Sequence, residues 1–390
     1  MTPPTSVTTT TRTASNPWLE SPLWDGFWIL NILWLAPLLG LAWALGQSSP
    51  TAAMLVKLGS IALWGGHLLS PMITAWRNPG LRAQMKNDRR RWIVQPLAIF
   101  AGCIALAFVG LQNADRVLAY ELLLLTFVVW NTWHFCGQHF GVLSIYRMKS
   151  GAPLERSNQT RLFDRGFTFL CTCVLLPMAW FLQSERIGPL FRYLPAPDPE
   201  GAVRWFVIGA AILATLVVVL RDLGGPNRSI GHAGILLTVG LQPILAAVSY
   251  PLFNFVLFSM SHWIIALALA SRILANTPKK AGEAAPSAAP RAKLRYLVAY
   301  GSLIVVSVPM YLVFWSDRLI QGTSHLTLGM FRRSSELATE APSALLTFVV
   351  GAYFGTTFVH FLYDRAVYGF RRPEVRASVA PALFAPLQRS

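Results

Sequence analysis

Histidine is the residue type in this chain whose placement points to chemistry. Six of its seven histidines fall inside or at the edge of long apolar segments, and two share the run Trp133-His134-Phe135-Cys136-Gly137-Gln138-His139-Phe140-Gly141. Ionisable side chains are costly in hydrocarbon, so imidazoles in such segments mark a functional site by default. Metal binding is the common purpose expected of them, with His67, His134, His139, His262 and His360 as candidate ligands. Gln138, one turn after His134, and Asp364, one turn after His360, are the candidate catalytic residues. Metal-bound imidazoles and waters need hydrogen-bonding partners behind them, and an amide and a carboxylate can supply these.

Helical rise converts distance from a basic loop into height. His67 lies ten residues before Arg77 and His262 ten before Arg272, which places each ~15 Å from that edge. His134 lies thirteen residues before Arg147, so three helices offer imidazoles at nearly one height. His139 lies nearer the edge, and His232 and His360 nearer still. A five-residue spacing turns His139 by roughly 140° from His134, so the two need not share an ion, and the expected set is His67, His134, His262 and one of His139 or His360. His232, after Ser229-Ile230-Gly231, reads as a helix start or a further ligand. His325 reads as a solvated residue of an outer loop. Asp25 and Asp164 read equally as solvated groups at the cytoplasmic interface or as catalytic ones.

The elements that must position these residues are membrane helices. The chain has 390 residues, 54% hydrophobic and only 13% charged, far from the soluble average. The fold class expected is all-α, a polytopic membrane helix bundle of about ten transmembrane helices, each near the ~20 residues that cross a bilayer. The spans are read at 24–46, 52–76, 93–112, 117–145, 163–183, 203–220, 230–249, 251–271, 296–315 and 342–363. Residues 1–23 read as a disordered cytoplasmic N-terminus and 24–275 as an eight-span core. A flexible linker follows at 276–294, then a two-span hairpin at 295–366 and a basic cytoplasmic tail at 367–390. Gly351 and Gly355 form a small-xxx-small pair that lets the last span approach a neighbour closely.

The net charge of +16 is divided unevenly. Arginine and lysine crowd the loops after spans two, four, eight and ten and are sparse in the others, which puts both termini in the cytoplasm. Those basic segments flank spans and face anionic headgroups, so nucleic acid is not an expected partner. The partners expected are the lipid bilayer and a lipophilic small-molecule substrate, and the expected location is a bacterial inner (cytoplasmic) membrane. All four cysteines lie in apolar spans and read as small buried hydrophobes, without a disulfide framework.

Imidazoles with a possible carboxylate suit iron, copper or zinc, and sparse Cys and Met argue against a thiolate cluster. Ferrous iron leaves open positions for oxygen, so the leading expectation is a membrane non-haem iron oxygenase. Two alternatives stay open: a haem-binding electron carrier, with facing histidines such as His67 and His134 as axial ligands, and a transporter whose histidines and Asp364 relay protons or a metal. The run His134-Phe135 to His139-Phe140-Gly141, with the isolated His67 and His262, resembles the Brp/Blh membrane carotene dioxygenase group. The resemblance covers a small part of the chain, which is longer and has more spans. It implies histidine-bound ferrous iron that uses oxygen to cleave β-carotene to retinal. The HxxxH and HxxHH boxes of membrane desaturases and hydroxylases are absent.

Overall fold

Proline and its neighbours shape several of the helices. In the computed structural model, which describes residues 17–46, 50–112, 117–150, 159–181, 202–224, 229–249, 251–277, 292–306 and 344–385, helix α1 (Pro22–Trp28) starts with the Ser21 side chain accepting from the Trp24 amide and with proline in its first turn. It breaks before α2 (Ile32–Gly46), and the two are bent by 45°. Buried Asn31 sits in the break, its amide donating to the Trp28 carbonyl at 2.9 Å and the Ser261 carbonyl at 3.1 Å. The segment read as one continuous span over 24–46 is therefore a bent pair, because a side-chain amide satisfies the carbonyls that the break exposes.

Helix α3 (Pro50–Arg77) runs for 28 residues with Pro71 inside it. α4 (Pro79–Asn87) is capped by Asn78, whose side chain accepts from the Leu81 amide. A π-helical turn over Arg90–Val94 leads into α5 (Gln95–Leu111). Pro96 has no N–H for the Trp92 carbonyl four residues back, and Tyr363 donates its hydroxyl to that carbonyl at 2.6 Å. α6 (Val117–Lys149) is followed by α7 (Gln159–Phe169), a π-helical stretch Leu170–Leu175 and α8 (Leu176–Phe181). Then come α9 (Ala202–Gly224), α10 (Ile230–Val248), α11 (Pro251–Asn276), α12 (Ala292–Val306), α13 (Ala344–Val367) and α14 (Pro373–Phe384).

Each of the ten apolar segments read from the sequence is helical over most of its described residues, with the first interrupted at residues 29–31, and no strand occurs among the described residues. Five helical stretches among the described residues are long and apolar enough to cross a membrane, or six if α1 and α2 form one broken span. Helices α3, α6 and α13, with 28, 33 and 24 residues, carry histidines in their apolar runs.

The packing centres on α3, α5, α6, α11 and α13. Helix α13 lies along α5 and against α3, α11 packs on α3, and α10 lies along α9. The α13–α5 approach uses the expected glycine pair. A Cβ at Gly351 would meet Ile104 Cα at 2.5 Å, and one at Gly355 would meet Phe100 Cα at 3.0 Å. α12 and α13 both contact α3, so the helices after the linker pack into the same bundle as those before it. The tail also contains a packed element: α14 buries Val375, Val379 and Leu383 and contacts α4 and α11. α11 continues to Asn276 and α12 begins at Ala292, so helix extends into both ends of the segment read as a linker. Residues 1–16, the turn at 47–49, Tyr250 of the expected α10–α11 turn, positions 278–291 and His325 lie outside the described residues.

Candidate metal centre

Four helices deliver one imidazole each to a common point in the interior. His67 comes from α3, His134 from α6, His262 from α11 and His360 from α13, and none is more than 7% exposed. Next to His67 the helix is adjusted by Pro71, which cannot donate to the His67 carbonyl. Ser70 donates its hydroxyl to that carbonyl at 2.9 Å instead. Thr74 donates back to the Ser70 carbonyl at 2.8 Å, so the turn around the proline gains side-chain donors where the backbone lacks one.

The ring centroid of His67 lies 4.3 Å from that of His360, 4.7 Å from His262 and 6.2 Å from His134. His134 lies 5.1 Å from both His262 and His360. Imidazoles bound to one ion with metal–nitrogen bonds of about 2.1 Å place their centroids roughly 5 Å apart, so the spacing is that of ligands around a single ion. One ligand atom each from His67, His134 and His360 lies within 4.8 Å of the other two, and this group can hold a metal ion.

Hydrogen bonding sets which nitrogens are available. His360 Nδ1 lies 3.0 Å from the Leu68 carbonyl; a carbonyl only accepts, so Nδ1 carries the proton and Nε2 keeps its lone pair. Leu68 follows His67 in the chain, so this bond ties one ligand to the backbone of another's helix. His67 Nδ1, His134 Nε2 and His360 Nε2 are buried without a hydrogen-bond partner. Each buried, unsatisfied polar atom costs about 1–3 kcal/mol, and three at one point are best explained by an ion that takes their lone pairs. The donor set fits a metal.

His139 is placed differently. Its Nδ1 donates to the Phe135 carbonyl at 2.8 Å and its Nε2 accepts from the Gln242 amide at 3.0 Å. Both nitrogens are engaged, and the ring stands beside His262 at 6.2 Å, outside the group of three. His360, read from sequence as lying near a loop end, stands in the centre instead. Arg365, the first basic residue after it, does not mark the end of the packed interior, since Ala366 and Val367 beyond it are buried.

Asp364 is buried, with Oδ2 3.9 Å from His134 Nδ1, and Gln138 approaches its carboxylate. Among the described residues no lysine or arginine pairs with it. Such a carboxylate calls for compensating positive charge, which a cation at the histidines would provide. Aromatic rings close the surroundings: Phe361 stacks on His134 at 4.4 Å and Phe135 meets His262 edge-on at 4.2 Å.

Other polar residues singled out in the sequence serve elsewhere. Asp164 and Asp25, read as equally suited to solvated positions, are both buried. Asp25 accepts from the Leu19 amide at 2.7 Å, the Glu20 amide at 3.0 Å and the Tyr146 hydroxyl. Asp164, Arg147, Asp222 and His232 form a closed quartet. Arg147 bridges both aspartates at 3.1 and 2.7 Å, and His232 offers Nε2 to Asp164 at 3.2 Å and Nδ1 to Asp222 at 3.1 Å. A carboxylate only accepts, so His232 Nε2 donates to Asp164, while Nδ1 faces Asp222 as an ion pair; both nitrogens are turned to carboxylates and away from the other histidines. Asp222 and Gln242 had no distinguishing signal beyond being polar residues in apolar helices. All four cysteines are free.

Comparison of the chain with protein-family models, with curated proteins and with solved structures finds no match.

Proposed function

We propose that the chain is an integral membrane oxygenase that depends on non-haem iron and acts on a lipophilic substrate. The observation that carries this reading is the convergence of buried nitrogens from His67, His134 and His360, with His262 alongside, among packed aromatic rings. Neutral imidazoles with at most one carboxylate nearby favour iron, copper or zinc, and ferrous iron when bound supplies open positions at which oxygen is activated. The aromatic surroundings suit an apolar substrate, and the resemblance to the Brp/Blh group makes a carotenoid or another polyene lipid the first class to try. The residues' own part is positional: Leu68 and Ser70 fix the His360 and His67 turns, and Asp364 with Gln138 holds negative charge and hydrogen-bonding capacity behind His134.

The haem alternative fits less well. His67 and His134, the pair read as axial ligands, have centroids 6.2 Å apart, but His262 and His360 stand 4.7 and 4.3 Å from His67 and 5.1 Å from His134, and they crowd the slot that a macrocycle between its axial ligands needs.

The test is metal analysis and an optical spectrum of the full chain purified in detergent, beside His134→Ala and His360→Ala, followed by oxygen uptake with β-carotene and other polyenes. About one iron per chain without a Soret band, lost in both variants, with substrate-dependent oxygen uptake, is the expected result. A Soret band overturns it in favour of haem, and metal that dissociates freely during purification favours transport. The proposed topology is ten spans with both termini cytoplasmic in a bacterial inner membrane, supported by the alternating basic loops. Reporter fusions at residues 150 and 225 reading cytoplasmic, with one near 190 reading external, are the expected outcome.

A further inference from the structure

Helices α7 and α9 enclose a groove of about 420 Å³ on the outside of the bundle. Phe163, Gly166 and Phe167 line one wall and Ala214, Val217 and Val218 the other, and no polar side chain contributes. A Cβ at Gly166 would meet nothing within 4 Å, so this glycine leaves the concavity open. The volume falls in the range of small-molecule sites.

One end of this groove is charged. On α9, positions 214, 217, 218 and 221 recur at helical spacing and share a face. The exposed Arg221 guanidinium lies 3.8 Å over the Phe163 ring. No carboxylate pairs with Arg221 among the described residues. Its neighbour Asp222, and Asp164 next to Phe163, both bind Arg147 in the quartet, so the polar layer of the bundle lies level with Arg221. The groove then runs from that layer along the apolar bodies of two helices that are each part of a stretch long enough to cross a membrane.

We propose that this groove binds an anionic phospholipid, with one acyl chain between α7 and α9 and the headgroup phosphate on Arg221. An amphiphile with one negative head and an apolar chain matches a cleft that is apolar throughout and cationic at its mouth. A peptide would leave backbone N–H and C=O groups unmatched against a wall without polar atoms. An uncharged lipid would make no use of Arg221. The site is separate from the histidine centre and does not depend on what the histidines hold.

The experiment is native mass spectrometry of the full chain in neutral detergent, offered phosphatidylglycerol and phosphatidylcholine of identical chains in equal amounts. One arginine near a headgroup contributes about 1 kcal/mol, so roughly a fivefold preference for the anionic lipid is expected in the wild type. Arg221→Gln should bring retention to parity and Arg221→Glu should invert it. Both act at an exposed position and leave the melting temperature unchanged. Gly166→Leu, which fills the groove, should remove retention of both lipids. Equal retention of the two lipids by the wild type, or a preference unmoved by Arg221→Gln and Arg221→Glu, overturns the proposal. Undiminished retention in folded Gly166→Leu overturns the placement of the chain.

Discussion

His139 and His360 pose the sharpest question at the scale of single residues. Both are buried histidines in apolar helices, and they differ in their hydrogen bonds. His139 has a partner on each nitrogen, whereas His360 spends Nδ1 on the Leu68 carbonyl and keeps Nε2 bare. His360→Gln is therefore expected to lose most of the bound metal, while His139→Gln keeps it and loses only local stability; metal per chain by plasma mass spectrometry separates the two. Equal loss in both would make His139 a ligand. Asp364 calls for a milder expectation, because it supports the site through charge and through His134. Removing such a partner weakens metal binding about 10–100-fold, so Asp364→Asn should release the ion at a correspondingly lower chelator concentration while remaining folded. An unchanged chelator midpoint would leave Asp364 without a part in the centre.

Among the elements, the contact of α13 with α5 decides whether His360 arrives at all. The two helices touch through Gly351 and Gly355, with Ile104 and Phe100 opposite. Overpacking a tight contact costs about 1–3 kcal/mol. Gly351→Leu is expected to lower the melting temperature by several degrees, in keeping with that cost, and to reduce metal content by displacing α13. Gly102→Leu, where a side chain meets nothing within 4 Å, is the control and should change neither. This glycine pair was legible in the sequence because its spacing is local, and the helical segments were legible because apolar runs of membrane length have few other readings. His67, His134 and His262 came together as their heights required. The height of His360 was misjudged, since a count from the nearest arginine assumes that charge marks the end of packing, and Ala366 and Val367 are buried beyond it. The bend at Asn31, the helix in the tail and the Arg147–Asp164–Asp222–His232 quartet were not legible. Each depends on partners hundreds or tens of residues away, such as the Ser261 carbonyl for Asn31.

Across the whole molecule, one fully buried arginine joins the two ends of the described chain. Arg272 on α11 pairs with Glu20 at 2.8 Å, donates to the Leu383 and Ala385 carbonyls at 2.5 and 2.8 Å, and reaches the Leu19 carbonyl at 3.5 Å. Two of those carbonyls belong to the end of α14, where a helix leaves acceptors unsatisfied and favours a cation. Lys149 holds the same Leu19 carbonyl at 2.6 Å, and Asn276 donates to the Ala382 carbonyl at 3.0 Å. Removing one partner of a buried ion pair costs about 3–5 kcal/mol because the other charge is left uncompensated. Arg272→Met is thus expected to lower thermal stability strongly and to open both segments to protease, with the first cuts near residue 20 and beyond residue 370. His262 lies ten residues back along the same helix, ~15 Å away at the helical rise, so metal per folded chain should stay at the wild-type level. Should metal fall further than the folded fraction does, the clamp around Arg272 would also set the spacing of the histidines, and the closure of this end of the bundle would belong to the chemistry of its centre.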